Sequence, residues 1–221
     1  MFCELRACVP PAIVMLSAIL AMAQHSSVAS ADQTWNDLAA GNHRFVAGKI
    51  TQHDFVGQRK SLTKTQHPRV AVLGCSDSRV PPELVFDAGL GEMFVVRSAG
   101  EDVDPESIGS LEYAVEHLGS VMIVVMGHQG CGAVMAACSG GKPDSINLDA
   151  VVAPIIASCA RIDPKRPETF DLAVRDHVYR VAQEVLTKSE LLKRAFDEGQ
   201  LNIVEAYYSL ETGEVTRLHT E

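Results

Sequence analysis

Positive charge is in short supply in this 221-residue chain: Lys plus Arg is 19 against 28 for Asp plus Glu, a formal net charge of −9. That sign argues against a sequence-independent nucleic-acid binder, which neutralises phosphates with cationic side chains. Cysteine is sparse too, six in all, too few to build a disulfide scaffold in a chain of this length. Long apolar runs are lacking: the run from Ala12 to Ala23 is shorter than the roughly 20 residues that cross a bilayer, and no later uncharged stretch reaches that length, so no membrane span is expected. What is present is an apolar majority over charge, 47% hydrophobic against 21% charged residues. This describes an acidic globular protein and not a disordered one. With no internal repeat, low-complexity tract or linker, the mature chain reads as one domain over 32–221.

The first 31 residues differ from the rest. Arg6, the apolar run, and then small and polar residues through Ser30 and Ala31 have the layout of a cleaved secretory signal peptide, with cleavage after Ala23 or, preferably, after Ala31. The expectation is export across an inner membrane to the periplasm. Cys3 and Cys8 leave with the leader, and Cys75, Cys131, Cys138 and Cys159 remain.

Past the leader, Trp35, Leu38, Ala39, Phe45 and Val46 recur at helical spacing behind Asp32 or Thr34, which predicts an N-terminal helical arm near 34 to 48. Three short apolar runs follow, Val70 to Leu73, Met93 to Val96 and Val121 to Met126, each the pattern of a strand buried on both faces. Between the second and third, Asp104-Pro105 opens a helix carrying Ile108, Leu111, Ala114, Val115 and Leu118. Val151 to Ala160 reads as helical, as does a later run with Val174, Val178, Val181 and Val185 on one face. Asn202 to Leu210 and Val215 to Leu218, joined by a Thr212-Gly213 turn, suggest a terminal hairpin or edge strand. Alternating strands and helices predict an α/β fold: a mainly parallel sheet of about four to five strands flanked by helices.

Two segments place reactive residues where strands end. Cys75-Ser76-Asp77-Ser78-Arg79 follows the first run, and Gly127-His128-Gln129-Gly130-Cys131-Gly132 follows the third. Ligands bind beyond the carboxyl ends of strands in open α/β sheets, so Cys75, His128 and Cys131 share an address. Two thiolates and an imidazole suit a zinc ion with one position left for water. Asp77 either closes the zinc or accepts a hydrogen bond from the metal-activated water, and Arg79 keeps it ionised and aimed. A redox disulfide between Cys75 and Cys131 is the competing reading, and it leaves His128, Asp77 and Arg79 without a purpose. Cys138 and Cys159 are either a disulfide or free buried thiols.

These segments resemble the β-class carbonic anhydrases. CSDSRVPPE at Cys75 to Glu83 looks like that family's first zinc and dyad motif, and GHQGCGA at Gly127 to Ala133 like its second. The likeness continues in LAAGNHRF (Leu38 to Phe45), FVVRSAG (Phe94 to Gly100), GSLEYAVEHLG (Gly109 to Gly119) and YYSLETGEVTRL (Tyr207 to Leu218). The resemblance implies zinc-dependent reversible hydration of carbon dioxide to bicarbonate and a proton. It implies one Zn(2+) per chain on Cys75, His128 and Cys131, with Asp77 and Arg79 as the catalytic dyad. Gln66 and the Gly132 amide are implied to bind substrate or bicarbonate oxygen, and Phe94, Ala99 and Tyr113 to form a narrow apolar pocket. It further implies a homodimer or dimer of dimers, in which Gln66, Phe94 and Tyr113 serve the partner's zinc. Ser98 and Glu101 depart from the asparagines common in the family. Val72 stands where members with an inhibitory bicarbonate site carry tryptophan, which points to the subtype without that site. The other readings in view are a CS2 or COS hydrolase on the same fold and a non-catalytic zinc-binding protein. A proton shuttle is not apparent among His43, His53, His67, His117, His177 and His219.

Overall fold

In the computed structural model the described residues are 32–218 apart from 161, 164, 167 and 168. The expected leader and both of its candidate cleavage sites lie outside them, as does His219. The arm is helix α1, residues 32–46. After it come α2 (Phe55–Ser61), β1 (Val70–Cys75), α3 (Pro82–Val85), β2 (Met93–Ser98), α4 (Pro105–Glu116), β3 (Met122–His128), α5 (Gly132–Cys138) and α6 (Ile146–Val152). A 3-10 segment (Ala153–Cys159), α7 (Phe170–Lys188), α8 (Glu190–Asp197), β4 (Asn202–Tyr208) and β5 (Val215–Arg217) complete the described chain. Among the described residues no helix is long and apolar enough to cross a membrane.

The five strands form one sheet in the order β2-β1-β3-β4-β5. The first four are parallel, and β5 returns antiparallel to β4. Every residue of β1 and of β3 is buried. Alternate residues feed two apolar layers: Val70, Val72, Met122, Val124 and Met126 pack toward α5 and the 3-10 segment, while Ala71, Leu73, Ile123 and Val125 pack toward α4, α8 and the end of α7. A sheet covered on both faces needs strands that are apolar at every position, which explains the absence of alternation in these runs.

Local signals set the helix starts. Asp104 caps α4 by accepting from the Ser107 amide at 2.7 Å, with Pro105 in the first turn. Val174, Val178, Val181 and Val185 form the buried stripe of α7. The helix expected over Val151 to Ala160 divides after Val152, because Pro154 offers no backbone donor and the chain tightens into the 3-10 segment. Helix α2 emerges from the polar stretch before β1; none of its residues is buried, so it has no apolar stripe to read.

Chain order decides where a site can form. From β1 the chain moves outward to β2, then crosses through α4 to place β3 on the other side of β1. The carboxyl ends of β1 and β3 therefore lie side by side at the switch point, the place where open α/β sheets bind their ligands.

The arm is fastened by two polar anchors. Asn42, almost wholly buried, donates to Val85 and Gly213 carbonyls at 3.1 and 2.9 Å and accepts from the Val215 amide at 2.9 Å. Asp87, at φ 49°, accepts from the Arg44 guanidinium and from both the amide and the hydroxyl of Thr51. Burial pushes the Asp87 carboxyl up, but these donors prevail and hold it down at about 2. A carboxyl lowered on folding stabilises above its unfolded pKa, about 3.9, and loses that contribution as pH falls through about 2. Asp87→Asn is therefore expected to destabilise the fold by about 1–3 kcal/mol at neutral pH, a deficit that shrinks as the medium is acidified through this window, read by denaturant unfolding at a series of pH values.

Candidate metal centre

Cys75 ends β1, His128 ends β3 and Cys131 is the N-cap of α5. Their ligating atoms all lie within 4.8 Å of one another, and all three residues are buried. Cys75 and Cys131 are free thiols, so the disulfide read as the competitor to a metal site is not formed. The pair that does cross-link is Cys138 with Cys159, joining the end of α5 to the 3-10 segment.

The imidazole is set for a metal by its own backbone. His128 Nδ1 is 2.9 Å from the Gln129 carbonyl, which can only accept, so Nδ1 carries the hydrogen and Nε2 presents its lone pair. That Nε2 is buried and has no hydrogen-bond partner. A buried acceptor left unpaired between two thiols is what a metal ion would satisfy, and the two-sulphur, one-nitrogen donor set fits zinc.

The thiols divide their protons unevenly. The hydrogen bond from Cys131 lowers the Cys75 thiol against the opposing effect of burial, and the Gly100 amide, whose nitrogen is 3.4 Å from Cys75 Sγ, adds to this. Cys131 is pushed up, first by that same bond and then by burial. A cation bound here would be met by thiolates, and its binding would release the thiol protons.

Asp77 and Arg79 form the fork read from the sequence. Arg79 Nε reaches Asp77 Oδ1 at 2.9 Å and Nη2 reaches Oδ2 at 2.7 Å, and the Arg79 amide adds a third bond at 2.9 Å. The guanidinium holds the Asp77 carboxyl well below the usual carboxylate range. Asp77 Oδ2 stands 3.9 Å from His128 Nε2. With both oxygens engaged by Arg79, it faces the cluster as an acceptor. Arg97 braces the turn from β2, donating to the carbonyls of Cys75 at 2.8 Å and Asp77 at 2.6 Å.

The other expected site residues divide between a separate groove and the centre's own loops. Gln66 and Tyr113 line a groove of about 520 Å³ with Leu62, His117 and Leu118, and none of Cys75, His128 or Cys131 borders it. The Phe94 and Tyr113 rings are 6.2 Å apart. Ala99 and Gly132 are exposed beside the centre's own loops. Among the histidines weighed as shuttles, His177 is buried, whereas His43, His67 and His117 are exposed.

Two features here were not readable from the pattern of the chain. Ser98, one of the two departures, spends its hydroxyl on the Asp102 amide at 2.7 Å. Glu101, the other, is fully buried in the left-handed region at φ 42°, with neither carboxylate oxygen hydrogen-bonded. Burial, then the nearby Cys75 thiolate, raises its carboxyl well above the ordinary range. Its Oε1 lies 3.1 Å from where a side chain on Gly127 would begin, in a space also walled by Val174 and Val178 of α7.

A family model described as carbonic anhydrase matches residues 70–215. The chain is 40% identical over 187 residues to carbonic anhydrase 2 of Mycobacterium tuberculosis, covering 81% of this chain and 88% of that one. Its fold matches the β-carbonic anhydrase CafA of Aspergillus fumigatus with a TM-score of 0.68 and 25% identity over 75% of this chain and 83% of that chain. It also matches a structure from Sordaria macrospora, described among two tetrameric β-carbonic anhydrases, with a TM-score of 0.66 and 26% identity over 73% and 85% of the two chains.

Gly100 has no room for a side chain. It has φ 77°, and a Cβ there would meet Ile155 Cδ1 at 2.7 Å and the Ala133 Cβ at 3.0 Å. Gly100→Ala is expected to cost about 1–3 kcal/mol and to displace the amide that serves Cys75. Thermal unfolding together with bound zinc per chain checks both effects.

Proposed function

The chain belongs to the β-class carbonic anhydrases, and on that premise we propose how its own residues carry out the zinc-dependent, reversible hydration of carbon dioxide to bicarbonate and a proton. The observation that carries the assignment is the buried convergence of Cys75, His128 and Cys131 within 4.8 Å, with the Asp77–Arg79 fork beside it. These three residues would hold the zinc, which when bound would supply the Lewis acidity that makes a water nucleophilic. Asp77, ionised because Arg79 grips it, accepts a hydrogen bond from that water and so directs a lone pair toward the substrate carbon. The Gly132 amide, in the first turn of α5 next to Cys131, is a donor for the oxygen that becomes negative.

Gln66 supplies a second polar contact to the product, and Phe94, Ala99 and Tyr113 give a small uncharged substrate an apolar wall. The groove holding Gln66 and Tyr113 is separate from the same chain's cysteine cluster, which supports a homodimer in which those residues complete the partner's centre. Tyr113, 48% exposed on α4, is free to cross such an interface. A dimer of dimers accords with the tetrameric Sordaria macrospora relatives. Residues 1–31 act as a cleaved export leader to the periplasm; the Cys138–Cys159 disulfide supports this, because such bonds persist in oxidising compartments. Val72, fully buried in β1, keeps the chain in the subtype without an inhibitory bicarbonate site. Neither a CS2 or COS hydrolase nor a non-catalytic zinc protein is favoured, given the named relatives and the intact fork.

Two thiolates cancel the charge of the zinc, so activation of water is weaker than at a three-histidine site and the hydration rate is expected to climb between about pH 7 and 9. Cys75→Ser is expected to lose the metal. Asp77→Asn is expected to keep it while losing about 100-fold or more in rate. Zinc content and stopped-flow CO2 hydration of the mature protein measure all three, and full zinc occupancy without hydration at any pH would sink the assignment.

A further inference from the structure

His177 is an odd presence on α7. It stands among Val174, Val178 and Val181 in the buried stripe and is only 2% exposed. An imidazole buried there is tolerated only if its nitrogens are satisfied. Nε2 lies 2.8 Å from the Gly100 carbonyl, which can only accept, so Nε2 carries the hydrogen and donates. Nδ1 is then the acceptor, and it faces the Ser158 hydroxyl at 3.5 Å. Burial lowers the affinity of His177 for a second proton, consistent with this neutral form.

Each end of that short chain of bonds leads back to the metal centre. Gly100 is gripped on both sides: its carbonyl by His177, its N–H by Cys75 Sγ at 3.4 Å. Ser158 precedes Cys159, whose disulfide to Cys138 ties the 3-10 segment to α5, and α5 begins at Cys131. Ile155 of the same segment and Ala133 of α5 wall the α-carbon of Gly100. The loop over Cys75 and the helix behind Cys131 are thus held in one bracket, with His177 as its hub.

We propose that His177 is a positioning residue for the metal centre: by holding the Gly100 carbonyl against α7 and Ser158, it aims the Gly100 amide at Cys75 and fixes that sulphur relative to Cys131. This rests on the zinc reading above. Hydrogen bonds to a ligating sulphur limit the charge it must carry and set its direction, and losing an outer partner of this kind typically weakens metal binding 10–100-fold.

The test is metal binding by the full mature chain, stripped and reloaded, with zinc affinity taken by chelator competition and the cobalt(II) form read through its sulphur-to-metal charge-transfer band. His177→Ala is expected to bind zinc about 10–100-fold more weakly and to shift the cobalt band. His177→Gln, whose amide offers the same N–H, is expected to recover most of the affinity. Val185→Ala, fully buried on the same helix, is expected to lose stability while leaving affinity and band in place. Native affinity and an unmoved band in His177→Ala would overturn the inference, as would an equal loss in Val185→Ala. If His177→Ala does not fold, Ser158→Ala decides: a loss of about threefold or more supports the bracket, and native affinity overturns it. A wild-type chain that takes up no zinc would overturn the zinc reading itself, whatever the variants do.

Discussion

Everything at this site depends on two parallel strands ending side by side. β1 and β3 are neighbours in register, with Gly74 opposite Met126, although β2 and α4 intervene between them in the chain. That detour makes the strand ends a switch point, and the last residue of each strand, Cys75 and His128, stands at it. Ligands that terminate strands buried on both faces inherit the rigidity of the sheet. Cys131 follows three residues after His128 and caps the next helix, so its place is set by the same turn. The sheet thus sets where the strand-borne ligands stand, and the loops and helices packed around them set how they are aimed.

Electrostatics completes the case for a cation. Two buried thiols, an imidazole with an unpaired nitrogen and the unpartnered Glu101 are gathered where water cannot compensate them. Burial raises the Glu101 carboxyl and the Cys131 thiol, while hydrogen bonding from Cys131 lowers the Cys75 thiol. Asp77 escapes this pressure because Arg79 neutralises it at the surface of the site. The division of labour follows: acceptors inside hold the metal, and the one dependable anion stands at the mouth where a substrate arrives.

The strands, the main helices and the Cys75, His128, Cys131, Asp77 and Arg79 constellation were legible because each left a local mark: apolar runs closed by glycine, an Asp-Pro helix start, or reactive residues at run ends. What was not legible lacks such a mark. α2 buries nothing, and the 3-10 segment differs from a helix by the consequences of one proline. The Cys138–Cys159 bond needed a spatial separation that spacing does not supply. His177 read as one histidine among several, since its meaning lies in Gly100 and Ser158, residues 77 and 19 positions away. Glu101 is readable as a departure from a family pattern, but its burial is a property of the folded loop.

The proposed pairing of chains gives these separations a common physical cause. A small, uncharged molecule such as CO2 offers few handles for binding, so a site for it gains from enclosure more than from specific contacts. One chain presents its nucleophile-activating half at the ends of β1 and β3, and an apolar and amide half in the groove of Gln66 and Tyr113. Bringing the groove of one copy over the centre of another excludes water from both and strengthens every interaction of Asp77 and the Gly132 amide with developing charge. On this reading the N-terminal arm, pinned by Asn42 and Asp87 and otherwise carrying exposed Val46 and Ile50 nearby, belongs to the same economy: apolar surface that a lone chain leaves to water is surface a partner can cover.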